Sequence, residues 1–281
     1  LFSKDGTLLD TYPIGKSATT YEIPSSVTSI GNNAFRLCLS LKSITIPKTV
    51  KKIDKGAFFG CSNLSSVVLP KNLKRIGPLA FCNCYSLSEI KIPEGTTVIC
   101  DGAFFSCENL KHISFSENIK IIGYHAFYKC SSLTEIKIPE RTTEIGVEAF
   151  GLCEKLQHIS IPESVTNIGK EAFYYCKSLE EITIPKGVTK IWPDTFNGCK
   201  NLLNINLPDG IDEIGMHAFD ECENLTSITL PSSIKIICRK AFHHCEKLST
   251  IIFKGIEEQW KSIKLGKFNK VVREAKVVCE K

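Results

Sequence analysis

Residues 155–176 read KLQHISIPESVTNIGKEAFYYC and contain every element of a pattern that is repeated along the chain. The phenylalanine of the Ala-Phe dipeptide, Phe173 in this stretch, occurs in ten copies at a constant interval of 23 residues, from Phe35 to Phe242. An isoleucine stands five residues before each of these phenylalanines, and a leucine stands six residues after it, without exception. Self-similarity at a fixed short period is the sequence signature of a repeat architecture.

Each repeat predicts one short strand followed by one tight turn. The strand alternates apolar and polar residues, as in Ile136-Lys137-Ile138, and in eight of the ten units it ends at a proline, which cannot donate to a strand ladder. The segment before Ala-Phe is too short and too glycine-broken for a long helix, so a single α or 3₁₀ turn fits it better. One unit cannot bury its own apolar residues, whereas stacked copies cover each other. We therefore predict an α/β solenoid with a parallel sheet.

The full pattern, Leu-x-x-Ile-x-Ile-Pro-x-x-Val-x-x-Ile-Gly-x-x-Ala-Phe-x-x-Cys, resembles the bacterial BspA-like type of leucine-rich repeat over about residues 21–253. The resemblance implies a curved right-handed solenoid, with the parallel β-sheet on the concave face and short 3₁₀ or α turns on the convex face. Members of this family are typically surface or secreted proteins of host-associated bacteria, with some in parasitic protists, and several are implicated in adhesion to host proteins. Single units depart from the pattern at the glycine position or, in one case, at the alanine position: Asp54, Cys100, Trp192, Cys238 and Thr195.

We expect one leucine-rich-repeat domain over residues 1–281, with an N-terminal cap at 1–22, repeats at 23–253 and a C-terminal cap at 254–281. The N-terminal cap contains a hairpin signal at Lys4–Thr7, and Tyr12 stands one period before the first repeated phenylalanine. Residues 257–261 predict a short helix and residues 276–279 a last strand. Caps of this kind cover the outermost core of a solenoid.

Ten of the 14 cysteines occupy one position, three residues after each repeated phenylalanine, from Cys38 to Cys245. A free cysteine behaves as a small buried hydrophobe, so we expect an internal stack of thiols, one per unit. Disulfides between units are not expected, because equivalent side chains point in parallel. Reduced thiols favour a reducing or anaerobic setting, which conflicts with an exported location unless the thiols are sealed from oxidants.

Composition and motifs exclude several function classes. The net charge is only +5 and the basic residues are dispersed, so we expect no nucleic-acid partner. No apolar run approaches the roughly 18 residues of a membrane span. The chain has no glycine-rich phosphate loop and no zinc-type histidine motif, and the adjacent pair His243-His244 is interpreted as two solvated side chains. We therefore expect no enzyme activity, no cofactor and no metal site.

Candidate binding residues are the exposed positions of the strands, on either side of each buried isoleucine. In the middle units these positions carry charge, imidazole and hydroxyl groups. The predicted ligand-binding residues of the concave face are Glu89, Lys91, His112, Ser114, Glu135, Lys137, His158, Ser160, Glu181 and Thr183. If the strands stack in register, glutamates and histidines alternate along one file. Residues 88–94 and 134–140 match at an offset of 46 residues, so duplication of unit pairs explains this pattern without any function.

Two functional hypotheses follow from the sequence. The first is a non-enzymatic bacterial adhesin or recognition protein, monomeric, that binds a host protein or glycan through its concave face. It would be secreted or lie at the cell surface after removal of an export signal. The second is a cytoplasmic structural scaffold or protein inhibitor built on the same solenoid, a setting in which free thiols are common.

Overall fold

The alternation of apolar and polar residues after each repeated leucine produces a row of parallel strands, as predicted. A computed structural model describes residues 1–280. We call this row the concave row, and its middle residues point into the core while their neighbours point outward. Its strands are Thr20–Glu22, Ser43–Thr45, Ser66–Val68, Glu89–Lys91, His112–Ser114, Glu135–Lys137, His158–Ser160, Asn204–Asn206, Ser227–Pro231, Thr250–Lys254 and Lys276–Cys279. Single-residue bridges at Glu181 and Thr183 continue the row between the seventh and eighth of these strands.

The isoleucine five residues before each phenylalanine lies in a second row of two-residue parallel strands, which the sequence analysis did not anticipate. We call it the lateral row. Its strands are Leu8–Leu9, Ser29–Ile30, Lys52–Ile53, Arg75–Ile76, Val98–Ile99, Ile121–Ile122, Glu144–Ile145, Asn167–Ile168, Lys190–Ile191, Glu213–Ile214, Ile236–Ile237 and Lys264–Leu265. Two residues per unit are too few for a detectable alternation in the sequence, which explains why this row was missed.

The Ala-Phe segment forms a tight turn that is hydrogen-bonded in two directions. In one unit the N–H of Ala172 donates back to the carbonyl of Gly169 at 3.2 Å, an i to i−3 bond of the 3₁₀ type. The next N–H, that of Phe173, donates instead to the carbonyl of Thr195 in the following unit at 3.0 Å. The turns are therefore part of a ladder between units rather than separate helices. Strands on one face and short turns on the other confirm the predicted fold class.

The glycine after the lateral-row isoleucine allows adjacent units to approach closely. A Cβ atom on Gly169 would lie 2.6 Å from the carbonyl carbon of Gly146 in the preceding unit. Where the position is not glycine, the side chain turns outward: Trp192 is 40 % exposed, and the amino group of Lys190 lies 4.6 Å from the centre of its ring. The departures from the repeat pattern thus leave the stack intact, as expected.

The repeated phenylalanines form a continuous stack through the core. Neighbouring rings from Phe35 to Phe242 have centroids 4.9–5.8 Å apart, and their planes are nearly parallel. Tyr12 continues the stack at the N-terminal end, with its ring centroid 5.1 Å from that of Phe35, as its position one period earlier predicted. Aromatic stacking adds to the large apolar area that each ring buries.

Both ends of the solenoid carry irregular units. At the N-terminus an antiparallel bridge joins Phe2 to Leu9 across the predicted turn. At the C-terminus the predicted helix is present as α1, Glu257–Ser262, and the predicted strand as Lys276–Cys279. A second helix, α2 at Lys270–Glu274, was not predicted because only five residues form it. These features support the proposed caps.

Candidate functional site

The concave row presents its polar residues to solvent. In each strand the middle residue, such as Ile136, is buried, while its two neighbours, Glu135 and Lys137, are exposed. The same holds for every candidate residue, because all ten side chains are exposed: Glu89, Lys91, His112, Ser114, Glu135, Lys137, His158, Ser160, Glu181 and Thr183. Their placement on one surface is confirmed, whereas their role in binding stays a prediction.

The predicted file of alternating glutamates and histidines is in register over most of its length. Glu89 pairs with His112 in neighbouring strands, Glu135 pairs with His158, and His158 is bridged to Glu181. No backbone ladder joins the strand of His112 to that of Glu135 within residues 1–280, so the file consists of two sections.

The break in the file lies beside a unit that departs from the repeat at the end of its strand. Phe115 stands there in place of an aliphatic residue, and Ser116 stands in place of proline. The ring of Phe115 is only partly buried and packs edge-on against Phe127, with centroids 5.8 Å apart. The ring alone does not account for the interruption, because Phe253 stands at the equivalent position and its strand is paired on both sides.

Charged side chains on the concave row have no partner within the described chain, whereas several on the other faces are paired. None of the ten candidate side chains makes a hydrogen bond or ion pair with residues 1–280. On the lateral row, by contrast, Lys190 pairs with Glu213 of the next unit at 2.8 Å. On the convex side, Lys177 pairs with Glu154 at the same distance. Polar groups of the concave row are therefore available to an external ligand.

A hollow of about 830 Å³ lies over part of the concave row, between Ser66 and Asn118. Four of the candidate residues line it: Glu89, Lys91, His112 and Ser114. Two apolar residues that were not singled out from the sequence also line it, Val68, which is 55 % exposed, and Phe115. The signal for Val68 was an apolar residue at a strand position that is polar in most units, and the signal for Phe115 was a ring at a position that is aliphatic in most units. The other six candidate residues lie on the sheet beyond the hollow.

The repeated cysteines are buried, as predicted, and all 14 cysteines are free. Nine of them donate their S–H to the carbonyl of the phenylalanine one unit earlier; for example, Cys153 Sγ lies 3.2 Å from the carbonyl oxygen of Phe127. A cysteine therefore fits the position because it is small and apolar and also carries one donor. Burial raises the pKa of Cys61 and Cys153 to about 12.

The structure corrects the interpretation of the pair His243-His244 in part, because His244 is exposed as expected but His243 is half-buried. Both rings turn toward Asp220, which is almost fully buried, and His217 reaches the same carboxylate from the other side. The residues lie at equivalent positions of two adjacent convex turns, 23 residues apart, which brings Asp220 and His243 into contact. Only knowledge of the turn geometry could have revealed this cluster in the sequence.

The two strand rows, the tight convex turns and the 23-residue period define a leucine-rich-repeat solenoid. The chain belongs to the BspA-type leucine-rich repeat family, whose model matches it in three overlapping segments, residues 14–131, 75–203 and 166–274. The resemblance stated from the sequence is thereby confirmed. Families of this repeat are typically non-enzymatic. No curated protein shows significant similarity to the chain.

Several solved structures are similar to this chain. A leucine-rich cell surface protein from Faecalibacterium prausnitzii is 29 % identical, with 88 % of this chain and 82 % of that chain covered and a TM-score of 0.46. A leucine-rich repeat protein from Bacteroides ovatus is 26 % identical, with 91 % and 88 % covered and a TM-score of 0.49. The leucine-rich repeat protein of T. pallidum is 22 % identical, with 99 % and 93 % covered and a TM-score of 0.36.

No helix within residues 1–280 is both long enough and apolar enough to cross a membrane.

Proposed function

We propose that the chain is a non-enzymatic recognition module that binds a protein partner through the concave row. The observation that supports this most directly is the set of ten exposed polar side chains that have no partner within the described chain. Parallel strands hold these groups at fixed positions, so a ligand meets a pre-organised surface and loses little free energy to ordering it. The competing explanation is that duplication of unit pairs produced the charge pattern and that the pattern has no role in binding.

The chemistry of the surface favours a polar partner of mixed charge. Glu135 and Lys137 lie side by side on one strand, and His158 and Ser160 lie opposite them on the next. A partner with complementary charges would gain specificity and a faster association rate from such a pattern. The apolar side chains of Val68 and Phe115 in the hollow would supply the buried centre that a protein interface requires.

We infer further that the module is an adhesin of a bacterial surface or a secreted recognition protein, with a host protein as first candidate ligand and a glycan as second. Burial of the thiols supports an oxidising location, because a buried thiol with a raised pKa reacts slowly with oxidants. The intracellular scaffold or inhibitor is the competing hypothesis. Its main support was the presence of reduced thiols, and that support weakens once the thiols are shielded.

An array of mammalian extracellular-matrix proteins and glycans tests this proposal. The parent chain is expected to bind at least one member, and the double charge reversal Glu135→Lys/His158→Glu is expected to weaken that binding at least tenfold, as removal of an interfacial charge pair does. The matched control is Lys74→Glu, since Lys74 is an exposed residue outside the concave row.

The outcomes separate the hypotheses. Binding that the double reversal leaves unchanged would place the recognition surface elsewhere on the solenoid. Absence of binding to every protein and glycan on the array would favour the scaffold or inhibitor over the adhesin. Equal losses for the double reversal and for Lys74→Glu would indicate a general effect of charge rather than a specific surface.

A further inference from the structure

Three of the six histidines converge on one carboxylate on the convex side, near the C-terminal end of the solenoid. His217 and Asp220 stand three residues apart in one turn, so their side chains meet within it. His243 occupies the position of Asp220 in the next turn, and His244 follows it. The stacking of equivalent turns therefore assembles four potential ligands from two units.

The distances within this cluster match those between ligands of one metal ion. Asp220 Oδ1 lies 3.2 Å from His243 Nδ1 and 3.3 Å from His244 Nδ1, and all three ligand atoms lie within 4.8 Å of one another. Zinc bonds of about 2.1 Å in a tetrahedron place neighbouring ligand atoms about 3.4 Å apart. Small side-chain rotations are therefore sufficient to place an ion between these atoms.

We propose that Asp220 Oδ1, His243 Nδ1 and His244 Nδ1 form a binding site for a divalent transition-metal ion of the zinc class. Two imidazoles and one carboxylate select such ions over calcium and magnesium, which prefer oxygen ligands only. Nothing in this proposal depends on the function of the concave row, because the two surfaces are formed by different parts of each unit.

His217 completes the site as a positioning residue. Its Nδ1 lies 2.7 Å from Asp220 Oδ2, the carboxylate oxygen that faces away from the other two histidines. Hydrogen bonds of this kind fix the orientation of a ligating carboxylate, and their loss typically lowers metal affinity 10- to 100-fold. Asp220 is nearly buried, with 10 % of its side chain exposed, so its orientation is further restricted by packing.

The site is accessible from one side and lies in a negatively charged region. The side chain of His244 is 55 % exposed, which leaves a path for the ion and a coordination position for solvent. The surface beside it carries three carboxylates, Glu221, Glu223 and Glu246, and one lysine, Lys247, and Glu223 is also paired with Lys200 at 2.6 Å, which leaves an excess of one negative charge. A local excess of negative charge raises the concentration of cations at such a surface.

The same atoms are also held together without an ion. Neutral rings that carry their hydrogen on Nδ1 donate to the carboxylate, which gives a hydrogen-bonded cluster. Metal binding replaces the hydrogen bond of His243 Nδ1 and the 3.3 Å contact of His244 Nδ1 with bonds from Nδ1 and Oδ1 to the ion, and each ring then carries its hydrogen on Nε2. A purely structural cluster and a metal site therefore differ in their response to added metal.

Titration with Zn²⁺ distinguishes the two. The protein is first treated with iodoacetamide, so that accessible thiols do not compete, and the histidine nitrogens are followed by NMR while calorimetry gives the affinity. One equivalent of Zn²⁺ is expected to shift the signals of His217, His243 and His244. The signals of His112, His125 and His158 serve as internal controls and are expected to stay in place.

Variants complete the test. His244→Gln, at an exposed position that folding does not require, is expected to lower the affinity for Zn²⁺ at least tenfold, and His217→Gln 10- to 100-fold. His158→Gln is the matched control and should bind as the parent does. The proposal is overturned if the three cluster signals do not respond to Zn²⁺, or if His244→Gln and Asp220→Asn, shown by circular dichroism to be folded, both bind as tightly as the parent.

Discussion

At the scale of single residues, the convex turns depend on the left-handed backbone conformation, which most residues other than glycine avoid. The residues two before and two after the repeated phenylalanine have positive φ angles, such as +56° at Asn33 and +55° at Leu37 around Phe35. Glycine occupies only a few of these positions, among them Gly56 and Gly60. The left-handed region costs an ordinary residue about 1–2 kcal/mol, so each unit stores some conformational strain.

This strain predicts opposite effects of glycine at two neighbouring leucines. Leu37 and Leu39 are both exposed, but only Leu37 has a positive φ. Leu37→Gly should be more stable than Leu37→Ala by about 1 kcal/mol, since both lose the side chain and only glycine is relaxed there. At Leu39 the order should reverse, because glycine gains freedom mainly in the unfolded chain. Urea unfolding of the four variants measures these differences, and the same order at both positions would refute the argument.

At the scale of elements, the C-terminal end of the stack depends on one buried side chain. In each inner unit the N–H of the repeated phenylalanine donates to the carbonyl of the residue before the next repeated phenylalanine, which is alanine except at Thr195. Phe242 has no such unit after it. Asn269 replaces it: its Oδ1 accepts the N–H of Phe242 at 3.0 Å, and its Nδ2 donates to the carbonyls of Cys238 and Gly266. The side chain thus terminates the ladder of the convex turns.

Removal of this amide should destabilise the cap selectively. Asn269→Ala leaves the buried N–H of Phe242 without an acceptor, which costs about 1–3 kcal/mol, and also loses two donated bonds. Asn201→Ala is the control, because Asn201 is exposed. Hydrogen exchange should show loss of protection centred on residues 237–279 in the first variant only. Equal exchange in both variants would mean that Asn269 does not hold the cap.

Sequence reasoning reached the parts of the structure that repeat and missed those that occur once. Every apolar position of the unit, such as Ile136 and Phe173, is present in ten copies, and the stacking of copies leaves one arrangement that buries them all. Asn269 has no counterpart in other units, and nothing in its neighbourhood marks it as buried. The contact between Asp220 and His243 likewise requires the exact shape of the convex turn, which the 23-residue period alone does not specify.

The strand alternation predicted which side chains of the candidate site are exposed and which are buried. Alternation places Glu135 and Lys137 outside and Ile136 inside, and the constant period sets the register with His158. The break between the strands of His112 and Glu135 could not be predicted from the period, which is constant there. The burial of Cys82 could not be predicted either, because this cysteine lies outside the repeated position. Burial raises the pKa of its thiol to about 11.

At the scale of the whole molecule, the buried thiols couple stability to alkaline pH. Nine repeated cysteines have raised pKa values through burial: Cys38, Cys61, Cys84, Cys107, Cys130, Cys153, Cys176, Cys199 and Cys222. A thiol in the unfolded chain loses its proton near pH 8.5, whereas in the folded chain it keeps the proton to about pH 12 in the case of Cys153. Above pH 8.5 the unfolded state therefore binds fewer protons, and the free energy of unfolding falls as the pH rises.

The expected effect is large because the thiols act together. Each contributes a slope of up to about 1.4 kcal/mol per pH unit between its unfolded and folded pKa values, and the full stabilisation is present below pH 8. Urea unfolding under reducing conditions at pH 8, 9 and 10 measures this slope. Cys153→Ala should reduce the slope by the share of one thiol, whatever its effect on stability at pH 8. A free energy of unfolding that stays constant from pH 8 to pH 10 would show that the thiols ionise as easily in the folded chain as in the unfolded one, and hence that the core does not exclude charge.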